Sequence, residues 1–118
     1  MTRVAAIDCG TNTARLLVAD LDAGTGTAVD VHRVETIVRL GEGVDRTRRL
    51  ADGALARTYA ALETYAGLIR AAGVVRTRCV ATSALRDASN HDDFVAGVQA
   101  VIGVRPDVIT GDEEARLS

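Results

Sequence analysis

The chain has 118 residues, 47% hydrophobic and 25% charged, which predicts one folded domain and excludes a disordered or low-complexity chain. Its formal net charge is −2, so no overall positive field predicts nucleic-acid binding, and no apolar run approaches the ~20 residues that a membrane-spanning helix needs. The first residues lack a signal-peptide pattern, and the spacing of Cys9 and Cys79 predicts reduced, structural thiols. We therefore expect a cytoplasmic protein that contacts no membrane.

Three strands are predicted at the start of the chain, over residues 3–8, 15–21 and 27–40. Each of the first two is followed by residues that favour tight turns, such as glycine and asparagine. Short connections join neighbouring strands in antiparallel fashion, so these three form a meander. In the third strand the two-residue period places Val31 on the same face as Val29.

A helix is the strongest prediction in the middle of the chain. Residues 40–50 are glycine- and arginine-rich, which predicts a solvated loop. Over residues 52–72, apolar side chains recur every three or four positions, and Gly73 stands where a helix C-cap belongs. The apolar positions of this helix are Leu55, Tyr59, Leu62, Ala66 and Ile69.

The last part of the chain alternates strands and helices. A strand is predicted over residues 74–82, and residues 89–92 form a capping-box pattern that begins a second helix. Gly103 ends that helix, a short strand follows over residues 107–110, and Gly111 begins a third helix. The expected fold is α/β, with a mixed sheet of an antiparallel three-strand meander plus two parallel strands and flanking helices. This is the arrangement of a ribonuclease H-like half.

Three polar clusters follow predicted strands, at residues 8–13, 82–86 and 111–114. In a sheet of this kind, the loops at the carboxyl ends of the strands line the ligand crevice. We therefore expect the three clusters to lie on one edge of the sheet. Their coincidence indicates a site more strongly than any one cluster does.

The first cluster combines a carboxylate with a glycine-containing turn. Gly10, Thr11, Asn12 and Thr13 could surround a phosphate with backbone amides and side-chain donors. Asp8 could hold a hydrated Mg²⁺, directly or through water, because Mg²⁺ takes only one or two carboxylates. An ordinary hairpin turn explains the same segment about equally well.

The other two clusters each offer one charged candidate. Ser83 and Arg86 follow a strand and could bind a terminal phosphate, although an arginine alone is more often a surface residue. Thr110 as N-cap would make Glu113 the third residue of a capping box. Glu114 is then free to orient a water, and its alternative role is to complement the helix dipole.

Four segments of the chain together resemble the exopolyphosphatase and guanosine pentaphosphate phosphohydrolase (Ppx/GppA) family. They follow in the family's order and at similar spacing, and they cover nearly the whole chain. The one small departure is Cys9, where other small or apolar residues are common. The segments are AIDCGTNT at residues 6–13, RLGEGVD at 39–45, ATSALRDA at 81–88 and TGDEEARL at 110–117.

The resemblance implies membership of the actin, Hsp70 and sugar kinase superfamily, in which two ribonuclease H-like halves enclose a phosphate-binding cleft. Residues 1–118 correspond to the N-terminal half, and the second half is expected to be absent. That half would carry the Asp-x-Gly-Gly-Gly-Ser-x-Glu motif and most of the Mg²⁺ ligands. The family's proposed catalytic base maps to Glu114, and its phosphate-binding arginine maps to Arg86.

The expected function is release of terminal phosphate from inorganic polyphosphate by the full-length protein, with this chain alone inactive. The alternatives are hydrolysis of guanosine pentaphosphate and non-catalytic binding of polyphosphate or an alarmone such as guanosine tetraphosphate. A sugar kinase or chaperone ATPase is disfavoured by the Glu113-Glu114 segment. The long third strand and the loop after it are candidate homodimer surfaces. The sequence leaves open the substrate, its chain length, the oligomeric state and whether the shortness of the chain is natural.

Overall fold

The computed structural model describes residues 1–109. Over these residues the predicted order of strands and main helices is confirmed. The segment predicted as a loop contains a short helix, α1, and Thr110 and the helix predicted from Gly111 lie outside the described residues. The elements are β1 Thr2–Cys9, β2 Thr13–Asp22, β3 Thr27–Ile37, α1 Val44–Thr47, α2 Asp52–Ala72, β4 Arg76–Thr82, a 3₁₀ turn Ser83–Leu85, α3 His91–Ile102 and β5 Asp107–Ile109.

The five strands form one sheet in the order β3-β2-β1-β4-β5. The meander of β1, β2 and β3 is antiparallel, whereas β4 pairs in parallel with both β1 and β5. The mixed sheet and the ribonuclease H-like half that the element order predicted are confirmed. Strand β1 lies at the centre and is paired on both sides.

The hydrophobic core lies between one face of the sheet and the helices α2 and α3. Alternate residues of β1 enter it, because successive side chains of a strand point to opposite faces. Ala5, Ile7 and Cys9 are buried, together with Tyr65 of α2 and Phe94 of α3. The intervening β1 side chains lie on the other face of the sheet, which we call the open face.

Strand β3 ends at Ile37, three residues earlier than predicted. The amides of Val38 and Arg39 turn away from the strand direction, and both donate to the carbonyl of Asn12 at 2.9 Å. Arg39 also has a φ of 53°, which no strand residue adopts. The chain therefore leaves the sheet where it meets the β1–β2 hairpin.

A β-bulge changes the facing of one residue in β3. The pairing between β2 and β3 shifts between Val18 and Ala19 and leaves Val31 as the extra residue. Val31 packs against the core, whereas Val29 is 56% exposed. Val29 pairs with Asp20 and His32 pairs with Val18, so Val29, Val31 and His32 all lie on the face that carries the core. The two valines share a face as predicted, and what was wrong is the predicted alternation between Val31 and His32, because alternation holds only where the register is uninterrupted.

The limits of α2 are those predicted, and Gly73 caps it in the left-handed conformation with φ 70°. Its buried stripe is rotated from the predicted one. Of the five predicted apolar positions, Leu62 and Ala66 are buried, whereas Leu55, Tyr59 and Ile69 are only partly buried and lie at the margin. The buried residues are Ala54, Thr58, Ala61, Leu62, Tyr65 and Ala66.

The predicted capping box at the start of α3 does not form. Asn90 occupies the N-cap position but makes no side-chain bond to the helix. Its side chain instead accepts from the Leu50 amide at 2.8 Å and donates to the Leu50 carbonyl at 3.0 Å. The Ser89 amide donates to the carbonyl of Arg48 at 2.7 Å. These bonds join the loop before α2 to the start of α3.

We expect replacement of Asn90 by alanine to destabilise the fold by about 1–3 kcal/mol, because it leaves the buried Leu50 amide without a partner and the Leu50 carbonyl with only the 3.3 Å bond from Arg49. Urea unfolding measures the change. Thr64→Ala is the control, since this exposed hydroxyl bonds only within its own helix and should shift stability by less than about 0.5 kcal/mol. Equal shifts in both variants would contradict the prediction.

Candidate functional site

Two of the three predicted clusters lie together at one edge of the sheet. Cys9 is the last residue of β1, and it pairs with Ala14 of β2 on one side and with Ala81 of β4 on the other. The hairpin after β1 and the turn after β4 are therefore neighbours. The third cluster, residues 111–114, lies outside the described residues.

The hairpin between β1 and β2 is tight. The Gly10 amide donates to the Thr13 carbonyl at 3.1 Å, and a Cβ on Gly10 would lie 3.1 Å from that same oxygen. Thr11 and Asn12 are exposed, and their amides have no backbone acceptor within residues 1–109. Unpaired amides at such a turn can bind an anion.

Backbone hydrogen bonds join the hairpin between β1 and β2 to residues 38–42, which we call the bracing segment. As well as the two bonds to Asn12, the Gly41 amide donates to the Thr11 carbonyl at 2.8 Å. A Cβ on Gly41 would lie 3.3 Å from the Cβ of Thr11, so the two backbones approach closely. The sequence analysis assigned no function to this segment. The family motif at residues 39–45 could have indicated that the segment belongs to the site.

Asp8 lies on the open face, beside Arg15 of the neighbouring strand. Its Oδ1 atom is buried and has no hydrogen-bond partner within the described part of the chain. Burial raises the pKa of Asp8, and the charge of Arg15 opposes this by lowering it. Arg15 is itself bonded to Glu35 at 3.1 Å, so its charge is shared between two carboxylates. The sequence did not identify Arg15 as a neighbour of Asp8. The pairing of β1 with β2 places the two residues side by side.

An unpartnered, partly buried carboxylate fits a Mg²⁺ ligand, since this ion accepts oxygen ligands and keeps several waters. Over residues 1–109 no group of three histidine, cysteine, aspartate or glutamate residues could complete such a site. This part of the chain therefore offers Asp8 as a candidate ligand but no complete metal site.

The turn after β4 presents the second candidate pair. Ser83 begins the 3₁₀ turn, and its carbonyl accepts from the Arg86 amide at 3.0 Å. The side chain of Arg86 is exposed and has no ion-pair partner among the described residues. Arg86 therefore lies in the turn next to the hairpin, and its exposed guanidinium is available to an anion. Glu114 lies outside the described residues.

Both cysteines are free and buried, as predicted. Cys9 points into the core, away from the exposed hairpin that follows it. Hydrogen bonding to Cys9 and burial raise the pKa of the Cys79 thiol, so it stays protonated and unreactive. Within residues 1–109 no helix is long and apolar enough to span a membrane.

The sequence matches the model of the Ppx/GppA phosphatase family over residues 17–118. It is 54% identical over 125 aligned residues to "Exopolyphosphatase 2" of Mycobacterium tuberculosis H37Rv, covering 100% of this chain and 39% of that protein. The fold superposes on the Ppx/GppA phosphatase of Aquifex aeolicus with a TM-score of 0.91 and 34% identity, covering 98% of this chain and 38% of the other. A solved exopolyphosphatase-like protein gives a TM-score of 0.91 and 47% identity, covering 99% of this chain and 35% of the other.

The fold thus defines an α/β, ribonuclease H-like half, and the chain belongs to the Ppx/GppA phosphatase family. It spans 39% of the length of the curated relatives it matches.

We expect Asp8→Asn to stabilise the fold at neutral pH, because it removes a carboxylate whose pKa is raised by burial. A raised pKa means that ionisation costs stability above the ordinary aspartate value of about 3.9. The gain should therefore shrink as acid protonates the wild-type carboxylate. Thermal unfolding of the wild type and the variant, from neutral pH down to about pH 3.9, measures this gain in stability.

Asp20→Asn is the matched control, and its expected change in the stability of the fold has the opposite sign. A hydrogen bond from Arg3 lowers the pKa of Asp20, so its ionised form stabilises the fold at neutral pH. The amide variant should be less stable there, and the difference should disappear as pH falls through the lowered pKa. A loss of stability in both variants at neutral pH would contradict the account of Asp8.

Proposed function

We propose that this chain is the N-terminal half of an exopolyphosphatase that releases terminal phosphate from inorganic polyphosphate. The observation that carries the proposal is that the hairpin after β1, whose Thr11 and Asn12 amides have no backbone acceptor within residues 1–109, lies next to the turn after β4 that carries the exposed Arg86. The 54% identity to "Exopolyphosphatase 2", which extends over the whole chain, supports the choice of substrate. The buried free thiols support a reducing compartment such as the cytoplasm.

Phosphoryl transfer requires mainly positioning and charge stabilisation from the protein. In our proposal the hairpin residues Gly10, Thr11, Asn12 and Thr13 donate to oxygens of the terminal phosphate. The Arg86 guanidinium binds the same group in a forked arrangement, and the Ser83 hydroxyl adds a donor. These groups hold the phosphorus where a water can approach in line with the anhydride bond.

The water is assigned to Glu114, whose carboxylate orients it and accepts its proton. A bond forms between the water oxygen and the terminal phosphorus, while the phosphoanhydride bond breaks. The products are orthophosphate and a chain one unit shorter, with the electron pair on the new terminal oxygen. Glu113, which the sequence predicts to be the third residue of a capping box, takes no part in this step in our proposal.

Magnesium, when bound, would neutralise charge on the phosphate oxygens. Asp8 would hold it directly or through water, since its buried Oδ1 has no hydrogen-bond partner within residues 1–109. The other ligands would come from the second half of the family architecture.

We expect Glu114→Gln in the full-length protein to lower kcat for polyphosphate by about 10²–10⁴-fold, the usual contribution of a general base. The KM should change little, because the amide keeps the size of the side chain. Glu113→Gln is the control and should retain most of the rate. Phosphate release from long-chain polyphosphate with Mg²⁺ measures both, and an unchanged kcat in Glu114→Gln would remove this residue from the mechanism.

The substrate is tested with the same assay. Release from polyphosphate by the full-length protein, and none by residues 1–118 alone, is the expected result. Release only from guanosine pentaphosphate would retain the chemistry and replace the substrate. If the protein binds polyphosphate or guanosine tetraphosphate but releases phosphate from neither polyphosphate nor guanosine pentaphosphate, it is a sensor. That result would overturn the hydrolase proposal.

A further inference from the structure

Arg57, on the second turn of α2, contacts both ends of the bracing segment. Its Nε atom donates to the carbonyl of Val38 at 2.9 Å, and its Nη2 atom donates to the carboxylate of Glu42 at 2.8 Å. One rigid guanidinium therefore spans the bracing segment, and a planar fork fixes geometry better than a flexible ammonium would.

The bracing segment in turn fixes the carbonyls of the hairpin. Gly41 donates to Thr11, while Val38 and Arg39 donate to Asn12. Val38 is 1% exposed, so the segment is anchored in the core at one end and by Arg57 at both.

Fixing a carbonyl also fixes the amide that shares its peptide plane. The Thr11 carbonyl and the Asn12 amide belong to one planar, trans peptide unit, so they point in opposite directions. Because Gly41 holds the carbonyl on the side of the bracing segment, the Asn12 N–H points away from it. This is one of the two hairpin amides that have no backbone acceptor within residues 1–109.

We infer that Arg57 is a positioning residue for the phosphate site, acting through the bracing segment to aim the Asn12 amide at the bound phosphate. The inference rests on the proposed function for the identity of the ligand. The ion pair between Arg57 and Glu42 is partly exposed, and exposed ion pairs contribute little to the stability of a fold. The contact therefore serves the geometry of the hairpin more than the stability of the fold.

The first test is amide hydrogen exchange in Arg57→Gln of the full-length protein. Exchange at Val38, Arg39 and Gly41 should accelerate at least about tenfold, since these amides bond to the hairpin and report local opening. Amides of the β1–β2 ladder should be unchanged. Arg70→Gln is the matched control, because Arg70 is exposed on the same helix and has no ion pair among the described residues. Unchanged exchange in Arg57→Gln would overturn the inference.

The second test is the split between KM and kcat with polyphosphate. Misplaced donors weaken binding of the phosphate, so Arg57→Gln should raise KM about tenfold and leave kcat within about twofold. Arg57→Lys should restore part of the affinity, because an ammonium replaces one of the two contacts. A purely structural role would instead lower kcat through an unfolded fraction and leave KM unchanged, and that result would overturn the inference.

Equilibrium binding of polyphosphate separates this inference from the hydrolase proposal. If the wild type binds polyphosphate but releases no phosphate, the hydrolase proposal fails, and a dissociation constant about tenfold weaker in Arg57→Gln supports the positioning role. If Arg57→Gln binds as tightly as the wild type and Arg70→Gln, the positioning role fails whatever the activity. A wild type that neither binds nor cleaves polyphosphate overturns both.

Discussion

The pairing of β1 on both of its sides is the constraint on which the site depends. Its register with β2 and β4 buries Ile7 and Cys9 against the helices and leaves Asp8 on the open face. A slip of one residue would exchange the two faces and put the carboxylate into the core. The apolar residues that stabilise the sheet thus also determine where the charged group lies. Packing and site geometry are two results of one register.

The polar groups at this edge are arranged at some cost to the fold. The Oδ1 atom of Asp8 is buried without a partner in the part described, whereas the amides of Thr11 and Asn12 lie on exposed residues and can bond to water. Unsatisfied buried groups usually lower stability, and natural proteins retain them mainly at functional sites. The core between the sheet and the two long helices offsets this cost. A site that exists before the ligand arrives requires less reorganisation on binding.

Sequence reasoning succeeded where the cause of structure is local. The limits of α2, the strand order and the hairpin followed from periodicity, turn residues and connection lengths, and the hairpin with Asp8 was a candidate site for the same reason. Prediction from the sequence failed where residues distant in the chain determine the local structure. The loss of alternation between Val31 and His32 depends on a bulge in the pairing with β2. Asn90 bonds to Leu50, forty positions away, in place of its own helix. The contact of Arg57 with Val38 is equally non-local.

The family motifs that are far apart in the chain meet because of strand direction. Strand β2 is antiparallel to β1 and β3 is antiparallel to β2, so β1 and β3 run the same way, and β4 and β5 are parallel to them. The motifs at residues 6–13, 39–45 and 81–88 include the loops after β1, β3 and β4, and the motif at residues 110–117 begins directly after Ile109, the end of β5. The turn between β2 and β3 lies at the opposite edge and carries no motif. A topology with one of these strands reversed would separate a motif from the others, so the order and direction of the strands are what bring the three described segments to one candidate site.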